Sequence, residues 1–296
     1  MKIVVTGGSG FIGSHLIPEL KGAGHAVFNM DAKRGWAQNF RNPDAARRLT
    51  ALRPDVVVHL AAKVGRLFGE DDVQETIVDN AGMTALIAQA CGEHGIRLMY
   101  ASTSEVYGDW GNELCFEAKP FTRIPHNMYG LSKRWGEEVC KLYAPEGLTI
   151  MRFSMPYGPG LPAGKGRAAL VNFLYDALNL QPLTVHRDSE RSWCWIGDTV
   201  RAVRLLLERG QADAFNIGRD DDPRSMLEVA RLACDLTDAP HDLIEEIDPP
   251  ERQTVVKRLT TEKIRALGWE PEVELEEGMG RVLAWIKEQY PTPAVA

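Results

Sequence analysis

Apolar positions in this chain come in short unbroken blocks: KIVVTG (2–7), AVFNMD (26–31), DVVVHLA (55–61), RLMYAS (97–102) and LTIMRFS (148–154). None alternates strictly between polar and apolar, which is how strands buried on both faces read. Helical spacing fills the gaps near 11–23, 43–52, 72–94 and 130–144. Strand blocks alternating with helices predict an α/β protein built on a doubly wound parallel sheet. Past residue 155 the pattern changes. MPYGPGLPAGKG reads as a Gly/Pro loop, and mixed helices and short strands follow, with an amphipathic helix near 275–289 and a PTPAVA tail. Two lobes are expected: 1–155, with later segments returning to it, and a smaller mixed α/β lobe over 156–296.

The first strand runs directly into TGGSGFIGSHL (6–16). Gly7, Gly10 and Gly13 supply a tight turn, close backbone approach to a pyrophosphate, and close packing of helix on strand. Phe11, Ile12 and Gly13 open the helix, whose amide groups and positive dipole end suit phosphates. Asp31 lies 18 residues past Gly13, at the end of the second strand. There it can accept hydrogen bonds from both ribose hydroxyls, which favours NAD over its 2′-phosphorylated form. Lys33 and Arg34 stand close enough in sequence to reach a 2′-phosphate. The segment Leu60, Ala61, Ala62 and Lys63 ends the third strand block and borders the same ligand.

STSEVYG (102–108) places Ser102, Thr103, Ser104 and Glu105 together at the end of a buried strand, as a turn or as a place where protons move. YGLSK (129–133) sets Tyr129 and Lys133 four residues apart, on one helix face. A tyrosine with a reference pKa of about 10 is a poor base at pH 7. An ammonium about 4 Å away contributes roughly 4 kcal/mol at an effective dielectric near 20, about three pKa units before desolvation. A positively charged nicotinamide ring pushes the same way.

With TGGSGFIG, DVVVHLAA, STSEVYG, YGLSK, PYGPG (156–160), RSWCWIGD (191–198), FNIG (215–218) and LGWEP (267–271), the chain resembles extended short-chain dehydrogenases/reductases of the nucleotide-sugar epimerase and dehydratase family. The resemblance spans essentially the whole length. It implies a Rossmann-type nucleotide-binding lobe, NAD as cofactor, a nucleotide-diphosphate sugar as substrate and a homodimer packed through the helices near 72–94 and 130–144. It implies Tyr129 as base, Lys133 on the nicotinamide ribose, and Thr103 orienting the proton of the sugar hydroxyl. Ser104 and Glu105 carry the finer information. GDP-mannose dehydratases and UDP-glucuronate decarboxylases resemble this chain in having STSE, whereas many simple epimerases lack the acid. A sugar-nucleotide 4-epimerase is the first expectation, because epimerases are so numerous in the family. Decarboxylation or dehydration with Glu105 is the alternative, followed by reduction or non-catalytic NAD(P) sensing. Arg191 matches an arginine that meets substrate in relatives, and Arg66 and Asn127 stand where they can reach it. Met155 occupies the place where relatives usually carry an asparagine that helps hold the nucleotide phosphates. His126 reads as shaping a turn, and His59 as structural.

At 296 residues, 44% apolar and 25% charged, the composition is that of an ordinary soluble protein, and a net charge of −7 argues against a nucleic-acid surface. Five cysteines without a C-x-x-C pair argue against a metal site or a disulfide framework. No apolar run approaches the roughly 18 residues of a membrane span. A strand opening at residue 2 leaves no room for a signal peptide, so a cytoplasmic protein is expected.

Overall fold

In the computed structural model, which describes residues 1–164 and 168–290, the five apolar blocks become five neighbouring strands. These are β1 (Lys2–Thr6), β2 (Ala26–Met30), β3 (Val56–His59), β4 (Arg97–Thr103) and β5 (Thr149–Phe153). Their spatial order is β2-β1-β3-β4-β5, and a sixth strand, Ala214–Ile217, pairs with the outer edge of β5. Every pairing in this sheet is parallel. The architecture is therefore a Rossmann-like parallel sheet. The tail PTPAVA and part of the Gly/Pro loop lie outside the described residues.

Both faces of β1, β3, β4 and β5 are covered, which is why those blocks do not alternate; β2, at the sheet edge, leaves Ala26 and Phe28 exposed. Ile3, Val5, Val58 and Met99 pack against α1 (Phe11–Gly22) and the helix Ile196–Glu208. Val4, Val57, Leu98 and Tyr100 face the other way, onto Ile87, Cys91 and Cys140. A separate core around Tyr157, Phe173, Val229 and Met279 belongs to the C-terminal segments. The chain leaves β1 for β2 on one side and returns past β1 to β3 on the other. At that reversal the connections diverge beyond the strand ends and leave a crevice, the usual ligand position in open α/β sheets.

The stretch 72–94, expected as one helix, is interrupted. A helix over Val73–Ile77 passes into a π-helical turn, Val78–Gly82, before continuing as Met83–Glu93. Buried Asn80 sits in that turn. It accepts a hydrogen bond from the Lys63 amide at 2.8 Å and donates to the Lys63 carbonyl at 3.0 Å and to Ser132 Oγ at 2.9 Å. A side chain clamped at both ends to other elements accounts for the extra residue in the helical ladder.

The helix Met128–Tyr143, here α2, is anchored by an ion pair with almost no solvent contact. Arg152 of β5 donates to both oxygens of Glu137, at 2.9 and 2.7 Å, and Ser102 of β4 donates to one of them at 2.5 Å. Arg152 also donates to Tyr107, whose hydroxyl reaches Asn216 at 2.7 Å. Removing one partner of such a pair strands the other charge in a low-dielectric interior. Glu137→Gln is expected to lower unfolding stability by about 3 kcal/mol; a urea-denaturation loss below about 1 kcal/mol would show that the pair does not anchor the helix.

Candidate active site

The glycine loop has the shape that its sequence demands. Gly7 adopts φ +68°, and a Cβ there would stand 2.6 Å from the Ala61 amide nitrogen, so only glycine fits. Leu60 donates to the Thr6 carbonyl at 3.1 Å and Ala61 to Thr6 Oγ1 at 3.3 Å, which brings the β3 connection against the loop. At Gly13 a Cβ would lie 2.5 Å from Gly8 Cα, so the glycine lets α1 sit close on the strand end. α1 starts at Phe11 and Ile12 behind Gly10, with no side-chain cap and no acid in its first turn. Its first amides have no acceptor within the helix and remain available to an anion. Asp31, buried at the end of β2, accepts from the Ser9 amide at 2.9 Å and the Lys33 amide at 2.8 Å. Each oxygen keeps a further lone pair for a ribose hydroxyl. This cradle fits a dinucleotide. Lys33 turns its ammonium back to the Ser9 carbonyl, 3.5 Å away.

Asn127 caps α2 by accepting from the Gly130 amide at 2.9 Å, and that start places Tyr129 and Lys133 on the face toward β4. The Thr103 side chain stands near enough to Tyr129 to favour its ionised form. Burial pushes the Tyr129 phenol above its usual range, and Glu105's charge adds to the rise, outweighing the influence of Thr103. The lowering influence that the helical spacing predicts for Lys133 is not among them. The Lys133 ammonium lies 4.2 Å from the centre of the Tyr100 ring, as a cation–π contact. Burial brings Lys133 down to about 7, against the pull of Cys140 and Glu137.

Glu105 follows Thr103 in a 3-10 turn, with Ser104 between them in a narrow cleft that Lys257 also lines. Its carboxylate pairs with Lys257, accepts from Thr254 Oγ1 at 2.9 Å, and lies 3.4 Å from Asn127 Nδ2. Burial favours the neutral acid, but Lys257, Arg191 and Thr254 together hold Glu105 below the usual carboxylate range. Lys257 and Thr254 carry no motif and lie about 150 residues along the chain from Glu105, so no sequence signal singled them out.

Arg191 is buried and donates to the carbonyls of Glu190 at 2.7 Å, Val255 at 2.5 Å and Thr254 at 2.8 Å. Its charge and that of Arg66 both act on Lys257 and on His186. The Lys63 backbone is clamped by Asn80 and its ammonium pairs with Glu75 at 2.6 Å. Met155 holds a positive φ of 33°. Exposed His126 is 4.0 Å from Asp109. His59 is fully buried between Thr6 and Thr84, at 2.7 and 3.0 Å, and burial with the Lys133 charge lowers it to about 3, the signature of a neutral structural histidine.

A family model described as the NAD dependent epimerase/dehydratase family matches residues 3–218. UDP-glucuronic acid decarboxylase 2 of Arabidopsis thaliana is 30% identical over 94% of this chain and 66% of its own length. The chain thus spans about two thirds of that plant relative. UDP-N-acetyl-alpha-D-glucosaminuronate decarboxylase of Bacillus cytotoxicus is 28% identical, with 97% of this chain and 98% of the relative covered. The UDP-glucose 4-epimerase of Thermotoga maritima, solved with UDP-glucose, superimposes with a TM-score of 0.86 at 25% identity, covering 98% of this chain and 99% of that one.

Because Lys133 holds its proton less tightly when folded than its ordinary 10.5, the unfolded chain binds more protons between pH 7 and 10.5. Stability therefore rises with pH across that window, and the cost of burying the lysine is greatest below pH 7. Lys133→Met is expected to lose turnover yet melt at a higher temperature than the parent, with the larger gain at pH 6 than at pH 9. Equal melting temperatures at pH 6 would refute the buried-charge reading.

Proposed function

The chain belongs to the NAD dependent epimerase/dehydratase family, and on that premise we propose that it oxidises the 4-hydroxyl of a nucleotide-diphosphate hexuronate to a transient ketone and releases the C6 carboxylate as carbon dioxide. NAD, the cofactor, is held by the Gly7–Gly10–Gly13 loop, the first amides of α1, Asp31 and the 60–63 connection; when bound it supplies a reversible hydride acceptor. Tyr129 takes the 4-hydroxyl proton, and Thr103, beside Tyr129, orients that hydroxyl. A C6 carboxylate is β to a C4 ketone. The C5–C6 bonding electrons pass into a C4–C5 enolate as carbon dioxide leaves, and C5 takes a proton; C4 then recovers its hydride while Tyr129 returns the proton to the C4 oxygen, so no net oxidation remains.

The observation that carries this reading is the charge around Glu105. Arg191 and Arg66 both act on Lys257 there, while Glu190 is engaged by Arg258 and Glu70 by Arg252. Three cations against the carboxylates of Glu105 and Asp109 leave a net positive charge near Tyr129, in a chain whose net charge is −7. A sugar that brings both a diphosphate and a carboxylate matches that excess. The STSE stretch and the decarboxylase names among the relatives support the same choice. The 4-epimerase that the sequence ranks first stays as the second reading, favoured by the end-to-end match to the Thermotoga maritima enzyme.

A homodimer is part of the proposal. Val73, Ile77, Val78, Trp135, Leu142 and Tyr143 leave apolar surface exposed along the helices Val73–Ile77 and α2 and the π turn, which suits the same face of a second copy.

Incubated with NAD and UDP-glucuronate, the purified protein is expected to release carbon dioxide and form a UDP-sugar lighter by that mass. An unchanged mass with altered retention from UDP-glucose would transfer the assignment to the epimerase. Tyr129→Phe is expected to lower turnover by about 10²–10⁴-fold while NAD affinity stays within a few-fold. Trp135→Glu should shift light-scattering mass from dimer to monomer, and a parent that is already monomeric would remove the dimer from the proposal.

A further inference from the structure

The charge of Glu105 acts on the candidate base, Tyr129, and its side chain meets Thr254 and Lys257 from the C-terminal segments. What meets it from those segments is an irregular strap, residues 249–258, anchored at several points. Arg252 pairs with Glu70 at 2.5 Å, and the other Glu70 oxygen accepts the Met128 amide at 2.7 Å, one residue before Tyr129. Val256 bridges to Glu190, and Arg258 pairs with the Glu190 carboxylate at 2.5 and 2.7 Å. Arg191 donates to the carbonyls of Thr254 and Val255. The anchors leave Thr254 and Lys257 aimed at opposite oxygens of Glu105.

We propose that Lys257 is a positioning residue: delivered by the strap, its ammonium is the counter-ion that keeps Glu105 an ionised, oriented carboxylate beside Tyr129, and Arg191 positions the strap. Arg191 donates to strap and strand carbonyls, so its first task is to hold the polypeptide that carries Lys257. The charged groups facing the pair come from every element around it: Arg191 from the strand Glu190–Ser192, Arg66 from the helix Arg66–Asp71, and Tyr129 from α2, with His186 and Asp109 acting on the arginines or acted on by them. Of these, only Lys257 forms an ion pair with Glu105. Arg191 and Arg66 repel Lys257, so the lysine stays in place because Glu105 and the strap hold it. Burial favours the neutral form of Glu105, and Lys257 is the largest influence opposing it. This assignment rests on Glu105 standing in the site and holds for either fate of the ketone.

Isotope-edited infrared difference spectra against Glu105→Gln read the carboxyl directly and need no substrate. At pH 7 the parent and Lys257→Arg are expected to lack a protonated Glu105 band. Lys257→Met is expected to show one, and Lys257→Met/Glu105→Gln to lose it. In parallel, the acid limb of kcat/KM for Lys257→Met should move upward by at least about one pH unit, with Lys257→Arg restoring the parental limb. A Lys257→Met protein that lacks the band, or whose acid limb stays in place, overturns the proposal. If Lys257→Met does not fold, titration of the parent decides: a Glu105 band that appears only below the ordinary glutamate range supports the proposal, and a band already present at pH 7 overturns it. Carbon dioxide release by the parent tests the reaction separately, so the two can fail independently.

Discussion

The Glu137–Arg152 ion pair is the constraint from which the site hangs. Glu137 lies eight residues past Tyr129 and four past Lys133 in α2, so all three share one helix face. Pinning Glu137 to β5 and to Ser102 of β4 fixes both the rotation and the height of that face over the sheet. A hydrophobic contact could tolerate a small rotation of the helix. A bidentate guanidinium–carboxylate pair with a third donor cannot, because each misaligned bond leaves a desolvated charge. Tyr129 and Lys133 are held against the strand ends as a result.

The site places several ionisable groups under strain of the same kind. Burial drives Lys133 toward neutrality and Tyr129 away from ionisation, while Glu105 stays charged through its partners. Lys133 gains a cation–π contact with Tyr100, and Tyr100 itself donates to the Lys133 carbonyl at 3.3 Å. A fold selected only for stability would have put apolar side chains in these places. Perturbed groups concentrated at one place are the pattern on which the proposed proton chemistry rests.

Two long-range devices finish the site from opposite ends of the chain. Asn80 uses a π-helical turn to tie the 60–63 connection to α2, and the 249–258 strap reaches back to the 3-10 turn that follows β4. Neither shows a recurrent pattern. A π turn is one extra residue in an otherwise helical period, and the strap is an irregular segment whose polar groups only find partners across the cleft.

Sequence alone was enough for the parallel sheet, the glycine loop and Asp31, and the pairing of Tyr129 with Lys133 on one helix face. Each of these is a local matter: strand burial shows as unbroken apolar blocks, a tight phosphate turn admits only glycine at positive φ, and helical pitch alone sets which residues share a face. Only the tertiary structure decided that the Lys133 ammonium rests on Tyr100, that Arg191 spends its donors on the strap, and that Lys257 becomes the partner of Glu105. Burial and charge–charge energies depend on distances between segments far apart in the chain, and a one-dimensional pattern carries no such distances.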